Sequence, residues 1–98
     1  MKNARGGGSH RLPEFEWDEC NEEKLLDRHN VSAYEVEQCF GNLHTKRRDG
    51  NALVMLGKTD NDRLLLLVYE QKPNGVVRVY SARDMTEKER RVYRQSAR

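Results

Sequence analysis

Val76-Val77-Arg78-Val79-Tyr80 runs through Ser81-Ala82-Arg83 into Thr86-Glu87-Lys88-Glu89-Arg90-Arg91-Val92-Tyr93-Arg94, and the chain's architecture is read outward from this junction. Side chains alternate faces along a strand, so Val77 and Val79 point to one side and Val76, Arg78 and Tyr80 to the other. The first side is plain core and the second is mixed. Thr86 and Glu89 stand three residues apart, as a capping box requires, so a helix starts at Glu87. That helix carries Arg90, Arg91 and Arg94 around two apolar anchors, Val92 and Tyr93.

Upstream of this junction the pattern is extended. Asp49-Gly50 is a two-residue hairpin signal between Leu43-His44-Thr45-Lys46-Arg47-Arg48 and Asn51-Ala52-Leu53-Val54-Met55-Leu56. After a turn at Thr59-Asp60-Asn61-Asp62, the apolar run within Arg63–Glu70 predicts a central strand covered on both faces, and Pro73-Asn74-Gly75 turns the chain into Val76.

Before Asn42 the pattern is helical. Phe15-Glu16-Trp17 reads as a short edge strand with both aromatics inward, and Asp18 as the N-cap of a helix over Glu19–His29 that stops at Asn30. Glu22, Leu25, Leu26 and His29 share one face of that helix. Ser32 and Glu35 form a second capping box, with Val31 able to staple to Val36. The second helix then spans Ala33–Phe40, ends at Gly41 and buries Val36, Cys39 and Phe40. The expected fold class is α+β: a short N-terminal strand and two helices packed on a three- to four-stranded antiparallel meander, with a C-terminal helix. Residues 1–13, with Gly6-Gly7-Gly8-Ser9, read as a flexible arm or expression remnant, and residues 14–98 as one domain.

Composition bounds the function. With 98 residues, 36% hydrophobic and 35% charged, the chain suits a small domain with much polar surface. No apolar run approaches the roughly 20 residues that span a bilayer, and the N-terminus lacks the apolar centre of a secretory signal, so no membrane partner and a cytoplasmic location are expected. Cys20 and Cys39 are too few for a disulfide framework or a zinc site and are expected as buried thiols; neither a metal nor a cofactor is predicted. The net charge of +2 conceals a division. Residues 14–43 hold nine acids against two bases, whereas residues 83–98 hold six bases against three acids. Such polarity suits two partners, a polyanion on one side and a basic protein on the other, or simply solvated helix faces.

With Trp17-Asp18, His29, Val31-Ser32, Leu56-Gly57, Arg63-Leu64, Val68-Tyr69, Arg78-Val79-Tyr80-Ser81-Ala82-Arg83, Glu89-Arg90 and Tyr93 in this order, the chain resembles the BrnT family of type II toxins over roughly residues 15–95. The resemblance implies a RelE-like fold, a ribonuclease that halts translation, and a ribbon-helix-helix antitoxin of BrnA type as partner. It departs from the family pattern where the first helix usually carries lysine and asparagine and this chain has Asn21 and Leu25, and where Ala52 replaces an arginine. These departures set up the alternative expectation, a catalytically inactive module that retains only antitoxin binding.

Metal-independent RNA cleavage needs a base for the 2′-hydroxyl, cations for the crowded phosphorane and an acid for the leaving oxygen. His29 suits either proton role, or else serves as a helix-terminal histidine satisfied by a carbonyl. Arg78 and Arg83 suit a bidentate phosphate clamp, or else salt bridges to the acidic helices. Tyr93 suits positioning or protonation, or else core. Lys46, Arg90, Arg91 and Arg94 are the expected RNA contacts, and His29, Arg78 and Arg83 are expected to converge in one cleft. An antitoxin is expected either across the sheet and the terminal helix, paired with Arg90, Arg91 and Arg94, or on the acidic helices from Glu19 to Glu37.

Overall fold

The computed structural model describes residues 12–96. The elements are α1 (Glu19–His29), α2 (Ala33–Gly41), β1 (Thr45–Asp49), β2 (Ala52–Lys58), β3 (Leu64–Gln71), β4 (Val77–Asp84) and α3 (Glu87–Ser96). The four strands form one antiparallel sheet in the order β1-β2-β3-β4, the expected α+β meander with four strands. The arm expected over residues 1–13 lies, as far as residue 11, outside the described residues.

Local chemistry sets the element ends. Asp18 accepts the Asn21 amide and caps α1, and Asn30 leaves that helix in the left-handed region at φ 55° while its N–H returns to Leu25 and Leu26 carbonyls. Both capping boxes form, at Ser32 with Glu35 and at Thr86 with Glu89. Three boundaries differ from expectation. The first hairpin turns on Gly50-Asn51, because Asp49 pairs with Ala52 and only Gly50 takes a positive φ, of 67°. Phe15 forms a single parallel bridge to Val77 in place of an edge strand, with Glu16 N–H donating to the Val77 carbonyl and Val77 N–H to that of Glu14. And β4 begins one residue later than Val76 but continues through Ser81-Ala82-Arg83 to Asp84.

One face of the sheet is closed. Met55 from β2, Leu65, Leu67 and Tyr69 from β3, and Val77, Val79 and Ala82 from β4 pack against Leu25, Val31, Val36 and Cys39. Each large aliphatic side chain buried there contributes roughly 1.5–3 kcal/mol, so this layer dominates the folding free energy. The Val31–Val36 staple is wholly buried. Phe15, Trp17, Phe40 and Leu53 close the margin of the cluster. Gly57 is closely packed: a Cβ there would stand 3.2 Å from Cys39 Cβ and 3.3 Å from both His44 Cβ and Met55 Sδ, so those neighbours would have to give by a few tenths of an ångström.

The other face is closed only in part. Val54, Leu66, Met85 and Tyr93 are buried outside the main cluster, and α3 lies against β2. The β3 run is therefore not covered equally on both sides, since Leu64 and Val68 stay half-buried. Tyr93 anchors α3 through its ring and through its hydroxyl, which donates to the Leu43 carbonyl at 2.9 Å. Three expected core positions are instead exposed: Val92 at 44%, Leu26 at 52%, and Cys20. In α1 and α3 a single residue of the whole helix is buried, Leu25 and Tyr93 respectively, and Leu26 and Val92 beside them face solvent.

Candidate active site

The polar end of the partly open face is assembled by β3 and β4. In β4, Val77, Val79 and Ala82 are buried against the helices, so the two residues between Val79 and Ala82 both turn away from them. The register shows why: Val68 pairs with Ser81 and Tyr69 with Val79, leaving Tyr80 as the extra residue of a β-bulge. Arg78, Tyr80, Ser81 and Arg83 thereby share the face opposite the helical layer, and β3 adds Glu70, the cross-strand partner of Arg78. The Tyr80 hydroxyl donates to Glu70 Oε1, and this hydrogen bond, followed by partial burial, keeps the phenol protonated beyond its usual range.

Arg78 turns toward the start of α1. Its Nη2 donates to Asp18 Oδ2 at 3.2 Å, and its Nη1 lies 3.9 Å from Glu16 Oε2. Asp18 is held below the usual carboxylate range first by the Asn21 N–H it caps and then by Arg78; Glu16 is held low first by Lys72, which lies 2.7 Å away.

Arg83 grips Glu89 with both terminal nitrogens, at 2.8 and 2.9 Å, and gives a further hydrogen bond to the Asp84 carbonyl. Glu89 also accepts the Thr86 N–H at 2.8 Å, so its carboxyl is pushed down to about 2, with Arg83 the largest cause. One arginine thus locks the capping box of α3 to the end of β4. This corrects the expectation that Arg83 pairs with the acidic helices: its carboxylate comes from α3.

A third arginine, singled out in the sequence only as part of the resemblance, has the densest set of partners. Arg63 donates from Nε to Asp84 Oδ1 at 2.8 Å and from Nη2 to Asp84 Oδ2 at 3.1 Å. Its Nη1 meets Glu35 Oε2 at 3.1 Å and the Asn30 carbonyl at 2.9 Å, and Nη2 reaches the His29 carbonyl at 3.2 Å. One guanidinium therefore ties the end of α1, the start of α2 and the last residue of β4, and its own proton is held more firmly than usual, first by Asp84. Asp84 and Glu35 are both held below the usual carboxylate range; for Asp84 the largest cause is Arg63, while for Glu35 the Ser32 N–H and Arg63 together outweigh a burial cost. A cation directly before an apolar strand, facing two capping motifs, was the available signal.

The expected site residues are carried by several elements. Arg78 lies at the first turn of α1 and His29 at its last, an 11-residue helix apart, roughly 15 Å. His29 is half-buried on the Asp84 side, and among the described residues its ring makes no hydrogen bond. Arg83 projects from the opposite face of the sheet. Lys46 lies on the helical side of β1, with Phe40, His44 and Tyr69 in a groove of about 520 Å³. Arg91 and Arg94 are exposed on α3, while Arg90 is half-buried and reaches Glu87 only at 4.0 Å. Tyr93 is committed to its core contact and the Leu43 carbonyl.

The three-helix α+β domain thus gathers two arginines, a tyrosine and a carboxylate on the polar end of one sheet face. A family model described as ribonuclease toxin, BrnT, of type II toxin-antitoxin system matches residues 17–89, well over half of the chain, and the chain belongs to that family. The family implies an RNA target and an antitoxin partner. Comparison with curated proteins gives no match. Among the described residues no helix is long and apolar enough to cross a membrane.

Proposed function

We propose that the chain is a metal-independent endoribonuclease toxin whose RNA site is the polar end of the sheet formed by Glu70, Arg78, Tyr80, Ser81 and Arg83, and whose action inhibits translation. The carrying observation is the family match over residues 17–89, a span that contains all five of these residues and closes on Glu89, the partner of Arg83. A RelE-like kinship and a ribbon-helix-helix antitoxin of BrnA type, acting in the cytoplasm, belong to the same reading. The family match lends nothing to a binding-only module.

The chemistry follows from the donors that remain. A guanidinium has five N–H groups; Arg78 spends one on Asp18, and Arg83 spends its terminal groups on Glu89 and the Asp84 carbonyl. Both retain donors for phosphate oxygens, and both are held in place by those carboxylates. Fixed cations stabilise the charge that builds on the phosphorane, a role worth about 10²–10³-fold in rate per donor. Among the described residues no group of three histidine, cysteine or carboxylate side chains has the arrangement of a metal site, so the two arginines are the cations this reading uses. Lys46, Arg90, Arg91 and Arg94 supply longer-range attraction for the strand, with His29 as a proton carrier at the Asp84 end.

The test is cleavage of a single-stranded RNA by the purified chain in excess chelator, with translation scored in parallel. Cleavage that persists in chelator supports the reading; cleavage restored only by an added divalent ion overturns its metal-independent part, and an inert protein overturns the whole.

A further inference from the structure

The polar face contains a carboxylate whose surroundings differ from those of every ion-paired acid described above. Glu70 stands directly opposite Arg78 in the β3–β4 register, yet Arg78 pairs with Asp18 and Glu16, and the partner of Glu70 is the Tyr80 hydroxyl. Tyr80 lies on the same side as Arg78 by strand alternation, and the bulge that follows Val79 brings Arg83 round to that side as well. Tyr80 is 49% exposed, so the hydrogen bond is made at the surface where a substrate can reach it. Among the described residues Glu70 Oε2 has no hydrogen-bond partner. A hydroxyl held on one oxygen of a carboxylate, with the other oxygen free beside a cation with spare donors, is the arrangement a proton acceptor needs.

We propose that Glu70 accepts the proton of the attacking 2′-hydroxyl in RNA cleavage, with Tyr80 as the positioning residue that fixes its carboxylate; the inference rests on the ribonuclease reading above. Arg78 holds the scissile phosphate next to Glu70. The 2′-oxygen gives its proton to Glu70 and its electron pair to phosphorus, the bond from phosphorus to the 5′-oxygen breaks, and the leaving oxygen takes a proton from water. The hydroxide left behind collects the proton from Glu70, and the products are a 2′,3′-cyclic phosphate and a 5′-hydroxyl. The charged and titratable groups around Glu70 are Tyr80 and Arg78 on β4, Lys72 after β3, and Glu16 and Asp18, which pair with Lys72 and Arg78; β2 offers only Ala52 on this side, with Asp49 beyond it on β1.

The test measures single-turnover cleavage of a short RNA from pH 4 to 8 by the wild-type chain, Glu70→Gln and Tyr80→Phe, and binding of the same oligonucleotide with a 2′-deoxy scissile residue. Glu70→Gln should cleave on the order of 10²–10³-fold more slowly and lose the rise in rate with pH at the acid end, while binding the analogue no more weakly. Tyr80→Phe should cleave about tenfold more slowly with that rise retained but displaced. The wild-type products should end in cyclic phosphate. Wild-type cleavage together with an undiminished Glu70→Gln rate and profile overturns the assignment alone, as does a Glu70→Gln loss matched by an equal loss of analogue binding. An inert wild-type chain that still binds RNA overturns the ribonuclease reading and this inference with it.

Discussion

The two faces of the sheet use the same strands for opposite ends. Toward α1 and α2, side chains from three strands and both helices form an apolar cluster, with Lys46 and the Arg63 ion pairs kept to its margins. On the other side, β3 and β4 carry an exposed Tyr80 among the half-buried Glu70, Arg78, Ser81 and Arg83, the last of them clamped to α3. The difference teaches that the closed face sets stability while the open one, held in shape by it, can spend its side chains on chemistry.

The sharpest way to break this comparison is to cut each face and compare the costs. Leu67→Ala, at a wholly buried position of the central strand, should lose about 2–5 kcal/mol. Ser81→Ala on the open face should change stability by less than about 0.5 kcal/mol. Urea unfolding of both variants reads the difference, and equal losses would erase the distinction.

Arg63→Met comes next, because it strands Asp84 and Glu35 and frees two carbonyls at the end of α1 while keeping the side chain's bulk. A loss of about 2–3 kcal/mol is expected, seen as a lower urea midpoint, with Glu35→Gln in the same background adding little because the two share one interaction.

A smaller effect is expected from the Arg83–Glu89 clamp, and pH resolves it. The Glu89 carboxyl is pushed down to about 2 from an ordinary 4.5, so its contribution is complete above the ordinary value and is lost as pH falls from 4.5 toward 2. Asp84 and Glu35 are depressed in the same direction and add to that acid loss. Glu89→Gln should therefore cost on the order of 1–2 kcal/mol at pH 7, less than the full shift because solvent screens the pair, and its disadvantage should shrink as the pH approaches 3. Thermal unfolding of both proteins across that range measures it. The clamp also means that Arg83→Ala weakens the start of α3 as well as any phosphate contact, so its activity has to be read beside its stability. Smallest of all, Leu26→Ser and Val92→Ser should stay within about 0.5 kcal/mol of the parent, since both side chains already face water.

The closed face was legible because burial and capping leave strong local marks. Asp18, Asn30, Ser32 with Glu35, and Thr86 with Glu89 mark helix ends through short-range hydrogen bonds, and the Leu64–Tyr69 run marks the central strand through composition. Leu26 and Val92 misread because periodicity gives the direction of a stripe but not how much of it the neighbouring layer reaches. The site was less legible for a different reason. Whether Arg83 points with Arg78 and Tyr80 depends on a bulge, and one extra residue in β4 has no signature among Val79, Tyr80, Ser81 and Ala82. The partners of Arg63 are 21 to 34 residues away in sequence, so only the tertiary fold brings them together.

The central claim is that RNA engages the polar end of the open face. Titrating the chain with an oligonucleotide blocked by 2′-deoxy substitution, while following backbone amide resonances, tests it directly. The account predicts that shifts concentrate at Glu70 and from Arg78 to Arg83 and leave Leu25, Val36 and Cys39 unmoved. Shifts confined to α1 and α2, or to the groove at His44 and Lys46, would contradict it.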